Sequence, residues 1–141
     1  MDEVTRREII MEHYSNPVHK WRVEDSSYEK VNTNNASCID NLDIYIKIEN
    51  NQIIDICFDG EACAISTSSA SIMIHELIGK TVSDALKFIE EFEHMIHEEE
   101  YDETLLNEAL CYQEIYKQGN RKGCAYLPYR GLKEVLLKYV D

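Results

Sequence analysis

The tightest constraint on this chain's fold lies between residues 42 and 58. Leu42, Ile44, Ile46 and Ile48 alternate with Asp43, Tyr45, Lys47 and Glu49, and Ile53 to Phe58 follow after Asn50-Asn51. A two-residue period places every second side chain on one face of a strand, so the first run reads as a strand with one buried face. Asparagine tolerates the left-handed backbone that a two-residue hairpin turn needs, and Asn50-Asn51 therefore joins the runs as an antiparallel pair. In the returning strand the spacing predicts Ile54, Ile56 and Phe58 on one face and Cys57 on the other. An isolated hairpin is marginal in water, so its apolar face requires a cover.

The rest of the chain supplies helices for that cover. Thr5-Arg6-Arg7-Glu8 has the form of a capping box and leads into Ile9, Ile10 and Tyr14 before Asn16-Pro17 ends the helix. After Gly60, a short loop carries Cys63, and the run from Ser66 to Ile78 reads as a helix closed by Gly79. A second helix starts at Thr81 and buries the stripe Leu86, Ile89, Phe92, Met95 and Ile96. Glu98-Glu99-Glu100 makes a solvated break. Leu105, Leu106, Ala109, Leu110 and Ile115 predict another helix, Gly119-Asn120 opens a loop delivering Cys124, and a last helix carries Leu132, Val135, Leu136 and Tyr139. The order predicts an α+β fold, a small antiparallel sheet packed against several helices. At 141 residues, one domain spanning 1–141 is expected.

Acidic residues outnumber basic ones 27 to 14, for a formal charge of −13. Such a surface repels phosphate backbones and disfavours nucleic acid as a partner. No apolar run approaches the ~20 residues needed to span a bilayer, so no membrane role is expected. Five cysteines, an odd number, with no secretory leader pattern predict reduced thiols and a cytoplasmic location.

None of the cysteines forms a C-x-x-C pair. Cys57 falls in mid-strand and Cys111 inside a helix, the positions of packing residues. Cys38, Cys63 and Cys124 fall in predicted loops among small or polar residues, and Asp40 stands two positions from Cys38. Three thiolates and one carboxylate form a tetrahedral donor set suited to zinc, with the carboxylate as its most displaceable member. Cys63 and Cys124 are also expected near helix N-termini, which favour thiolate. The histidines read as surface or packing residues: His75, His94 and His97 on helices, His13 and His19 flanking the Asn-Pro turn.

Several motifs resemble one family. His13-Tyr14-Ser15-Asn16-Pro17 is similar to an H-Y-x-N-P start, and Asn35-Ala36-Ser37-Cys38-Ile39-Asp40 to an N-P-x-C-G-D ligand loop. Phe58-Asp59-Gly60-Glu61-Ala62-Cys63-Ala64-Ile65-Ser66, continuing through Ser68-Ser69-Ala70-Ser71 to Met73, resembles F-x-G-x-G-C-A-I-S-x-A-S-x-S-x-M. Arg121-Lys122-Gly123-Cys124-Ala125-Tyr126-Leu127 is similar to R-x-K-C-A-x-L. Together they resemble the U-type iron–sulfur cluster assembly family of IscU-like scaffolds, SufU-like zinc proteins and NifU N-terminal domains. The separation of 61 from Cys63 to Cys124 resembles the SufU-like branch, and the IscU-like histidine before the last cysteine and L-P-P-V-K motif are missing. Ile39, Ala62 and Gly123 depart from the family's glycine, glycine and lysine, and Pro128 stands where the family continues a helix.

The resemblance implies a SufE/IscU-like fold, with Cys38, Asp40, Cys63 and Cys124 as ligands of Zn2+ or, alternatively, of a transient 2Fe–2S cluster. It implies a zinc-dependent sulfurtransferase that takes persulfide sulfur from a cysteine desulfurase, with Cys124 ahead of Cys63 as acceptor. Asp40 and Arg121 would tune exchange and position the anionic sulfur. Further implied partners are iron–sulfur acceptors or downstream assembly proteins. A cluster scaffold on the same ligands and a zinc-stabilised interaction domain are the alternatives.

Overall fold

A computed structural model of the chain describes residues 1–36 and 39–140; Ser37, Cys38 and Asp141 lie outside the described residues. The hairpin forms as expected from β2 (Asn41–Glu49) and β3 (Gln52–Glu61), paired antiparallel with Tyr45 opposite Cys57. Asn50 and Asn51 take φ of 51° and 58°, the two left-handed residues of a type I′ turn. The inward set differs in one residue. Lys47 pairs with Asp55 and Ile48 with Ile53, which leaves Ile54 as the extra residue of a β-bulge. The bulge resets the alternation, so Ile53, Ile56 and Phe58 are fully buried while Ile54 is 41% exposed.

A third strand, β1 (Glu29–Asn34), pairs antiparallel with β2 and gives the order β1-β2-β3. Its sequence, Glu-Lys-Val-Asn-Thr-Asn, carries no apolar alternation, and only Thr33 is buried. Pairing with β2 and the cover of a helix, rather than its own pattern, hold this strand.

Among the described residues there are five α-helices; α2 and α5 lie against the sheet, and the others pack on them and on the turns. In α1 (Glu3–Ser15) the cap is Asp2, whose carboxylate accepts from the Thr5 amide at 2.8 Å, so Thr5 is a recipient of the cap rather than its source. The long buried helix α2 (Ala64–Leu77) ends before Gly79, which takes φ +90°. Thr81 caps α3 (Val82–Ile96), whose buried face holds Ala85, Phe88, Ile89, Phe92, Met95 and Ile96, with Leu86 only partly covered. Instead of one further helix, the chain makes a single turn, α4 (Glu103–Leu106), then 3-10 turns at Asn107–Tyr112 and Ile115–Lys117. Asn107, with φ +46° and ψ −122°, breaks the helical run.

The last helix, α5 (Gly119–Leu136), starts five residues before Cys124, where a loop was expected. Gly131 lets it lie close to the sheet, since a Cβ there would stand 3.1 Å from the Thr33 side chain and 3.3 Å from Ile44 Cδ1. Phe92 of α3 stacks on Tyr129 of α5 with ring centroids 4.2 Å apart. Pro128 lies within α5, not at its first turn. Lacking an N–H, it leaves the Cys124 carbonyl without its usual donor four residues on. No helix is long and apolar enough to cross a membrane among the described residues.

Candidate metal and thiol site

Two adjacent strand ends build one side of the site. Asp40 immediately precedes β2, and its carbonyl accepts from the Asn35 amide at 3.0 Å, drawing in the connection from β1. Across the ladder, Gly60 takes φ +129°, and a Cβ there would lie 2.2 Å from the Asn41 carbonyl oxygen. Only glycine permits this approach, which brings the chain at Asp40 beside the chain running into Cys63.

Cys63 is the N-cap of α2, with its sulfur accepting from the Ser66 amide at 3.5 Å. The Cys63 amide donates to Asp40 Oδ1 at 2.7 Å, and Cys63 Sγ lies 3.6 Å from Asp40 Oδ2. Cys124, in the second turn of α5, completes the group. One donor atom from each of Asp40, Cys63 and Cys124 lies within 4.8 Å of the others. Cys38, the fourth expected ligand, lies outside the described residues. Arg121 is exposed on the first turn of α5, one turn before Cys124. Cys57 and Cys111 are buried, as their positions predict.

Ser66 is a site residue that the motif reading passed over as part of a helix. Its hydroxyl is fully buried and lies 2.6 Å from Asp40 Oδ2 and 3.0 Å from the Cys124 carbonyl. Its proton goes mainly to the charged, nearer oxygen, the stronger acceptor, and is shared in part with the carbonyl. The second contact meets the carbonyl that Pro128 leaves free. Two sequence signals pointed here: a serine three residues after a cysteine N-cap, and a proline four residues after Cys124.

The electrostatics separate the donors. Asp40 is 1% exposed, and burial alone would raise its pKa. Hydrogen bonds from Ser66 and the Cys63 amide, with smaller ones from the two thiols, outweigh burial and hold the carboxyl below its ordinary range. Cys124 goes the other way. Burial first, then its contact with Asp40 and the proximity of Cys63, push its thiol up to about 12. The expected thiolate bias from the helix N-terminus does not reach it, because that effect fades within the first turn. An ionised, buried carboxylate and two sulfurs facing one point form a donor set for a borderline-soft cation, and a coordinated thiol is deprotonated. The residues present therefore fit zinc.

Comparison with known proteins places the chain in a family. The NifU-like N terminal domain family matches residues 5–125. The zinc-dependent sulfurtransferase SufU of Bacillus subtilis is 34% identical over 133 residues, covering 94% of this chain and 89% of SufU. The iron–sulfur cluster assembly scaffold protein IscU of Thermotoga maritima is 31% identical over 131 residues, covering 93% and 92%. A Fervidobacterium islandicum protein assigned as a SUF-system scaffold superposes with a TM-score of 0.88 at 28% identity, covering 96% of this chain and 99% of its own. The N-terminal NifU-like protein of Brucella abortus shares the fold, with a TM-score of 0.84 at 14% identity, over 99% of this chain and all of its own.

Proposed function

The chain belongs to the NifU-like N-terminal domain family, and on that premise we propose that it serves iron–sulfur cluster biogenesis by accepting persulfide sulfur from a cysteine desulfurase. The observation that carries the reading is the convergence of Asp40, Cys63 and Cys124 within 4.8 Å. Cys38, two residues from Asp40, is the proposed fourth ligand. Bound zinc would supply the positive charge that keeps coordinating thiols ionised at neutral pH.

Cys124 is the proposed acceptor, ahead of Cys63. Its thiolate attacks the outer sulfur of the desulfurase persulfide. A sulfur–sulfur bond forms at Cys124, the persulfide bond of the desulfurase breaks, and the electron pair leaves on the desulfurase cysteine. No oxidant or reductant is consumed. Asp40 stays ionised through its Ser66 and Cys63 hydrogen bonds and is the most displaceable of the donors. Arg121, exposed one turn earlier on α5, is placed to attract the anionic sulfur. Downstream assembly proteins or iron–sulfur acceptors would receive it. The likeness to the IscU scaffold of Thermotoga maritima supports a second reading, in which the same ligands carry a 2Fe–2S cluster as cargo.

The test is alanine release by a cysteine desulfurase with the wild-type chain, Asp40→Ala and Cys124→Ala, each with its zinc content measured. Sulfur transfer requires stimulation by the wild type, a strong reduction with Asp40→Ala and loss with Cys124→Ala. Unchanged stimulation by both variants at full zinc content refutes transfer through this site. Cluster absorbance without stimulation favours the scaffold, and zinc with neither activity leaves an interaction domain.

A further inference from the structure

A second set of metal donors lies where α1, the end of α2 and the first 3-10 turn meet. His75 Nε2 stands 3.3 Å from Glu108 Oε1, and His13 Nε2 stands 3.4 Å from Glu108 Oε2, so one carboxylate faces two imidazoles. Donor atoms of His75, Glu76 and Glu108 all lie within 4.8 Å of one another. We propose that His75, Glu76 and Glu108 bind a first-row divalent transition ion, independently of the thiol site, with His13 as a positioning residue that holds Glu108.

The surroundings orient these donors. His13 is buried, and its Nδ1 lies 2.7 Å from Ser71 Oγ, which also accepts from the Val18 amide at 2.8 Å. The serine hydroxyl can donate to Nδ1 or accept from it. With Nδ1 accepting from the serine hydroxyl, Nε2–H can donate to Glu108 Oε2 and so orient the carboxylate toward His75. A partner behind a ligating group is the usual way a protein fixes its orientation.

Glu108 is set in place by an unusual backbone. Asn107 holds φ +46° and ψ −122°, a conformation costly for a residue with a side chain. Its amide side chain donates to Glu76 Oε1 at 2.8 Å, tying the turn to α2 and presenting Glu108 to both histidines. His75 and Glu76 lie in the last turn of α2, where exposed carbonyls favour a cation. Mixed imidazole and carboxylate donors suit zinc, cobalt, iron or manganese rather than magnesium or calcium.

The experiment adds Co2+ to protein carrying one equivalent of zinc and follows the imidazole signals by NMR. Binding broadens the His13 and His75 rings selectively at one equivalent of cobalt, without the near-ultraviolet thiolate-to-cobalt absorption. His75→Ala, at a half-exposed position, and Glu108→Gln, which preserves shape, each weaken binding by at least about tenfold. Histidine signals that do not respond, selective response at other histidines, or unchanged affinity in both variants would overturn the proposal.

Discussion

Replacing Gly60 by alanine tests how the sheet sets the distance between Asp40 and Cys63. The new Cβ would fall 2.2 Å from the Asn41 carbonyl oxygen, at a backbone φ of +129°. The dihedral alone costs about 1–3 kcal/mol for a residue with a side chain. Relieving the overlap requires the backbone to separate where Gly60 pairs with Leu42, weakening about one ladder hydrogen bond for a further ~0.5–1.5 kcal/mol. The expected loss is therefore about 1.5–4.5 kcal/mol. Gly79 is an internal control: its φ is +90°, but a Cβ there meets nothing within 4 Å. Gly79→Ala should bear only the dihedral cost and keep its zinc. Urea unfolding of the metal-free proteins gives the two stabilities, and metal analysis gives occupancy. Gly60→Ala should be the less stable by ~0.5–1.5 kcal/mol and should hold less zinc. Equal stability and equal zinc in the two variants would refute the idea that close approach at Gly60 builds the site.

Ser66→Ala should destabilise the metal-free protein by about 1.5–3 kcal/mol, the range for a hydrogen bond to a charged group, measured by chemical denaturation. Cys57→Ala and Cys111→Ala should each cost roughly 1 kcal/mol and leave zinc content unchanged, because both thiols are buried packing groups; a lost zinc in either would contradict the ligand assignment. Burial would raise the Glu93 pKa, but bonds from Lys133 and Tyr126 outweigh it and hold the carboxyl below 4.5. Its stabilising contribution is thus full above the unfolded value and lost as pH falls through the lower folded one. Glu93→Gln should flatten the acid limb of a stability–pH profile below pH 4.5, and an unchanged slope there would argue against the pairing of α3 with α5.

What could be read from the sequence depended on whether the signal was local. The hairpin is local: an apolar alternation and two asparagines fix a strand pair, and both turned left-handed as expected. Ile54 was misassigned because a bulge is a pairing property, invisible in one strand alone. Strand β1 has no apolar pattern to read, since β2 and α5 hold it in place. At the site, the motifs singled out Asp40, Cys63 and Cys124, but placed Cys124 in a loop because Gly119 and Asn120 are weak helix formers. Packing of Cys124, Ala125 and Leu127 overrides that propensity. The Ser66 contact links three segments far apart in sequence, so its two signals, a serine three residues after Cys63 and a proline four after Cys124, gain their meaning only once the chain is folded.

The buried serines of α2 constrain how this protein can change over evolutionary time. Ser66 reaches Asp40, Ser68 the Tyr112 hydroxyl, Ser69 the Ala125 carbonyl, and Ser71 His13 and Val18. An oily helix could slide or rotate slightly and find new neighbours of similar value. This one cannot, because a shift of one residue would strand several hydroxyls and their partners at once. Mutations in α1, the 3-10 turns or α5 are therefore tolerated according to whether they preserve a particular polar address on α2. The surrounding elements can diversify in sequence while the central helix keeps its rotation, and with it the position of the cysteine at its N-terminus.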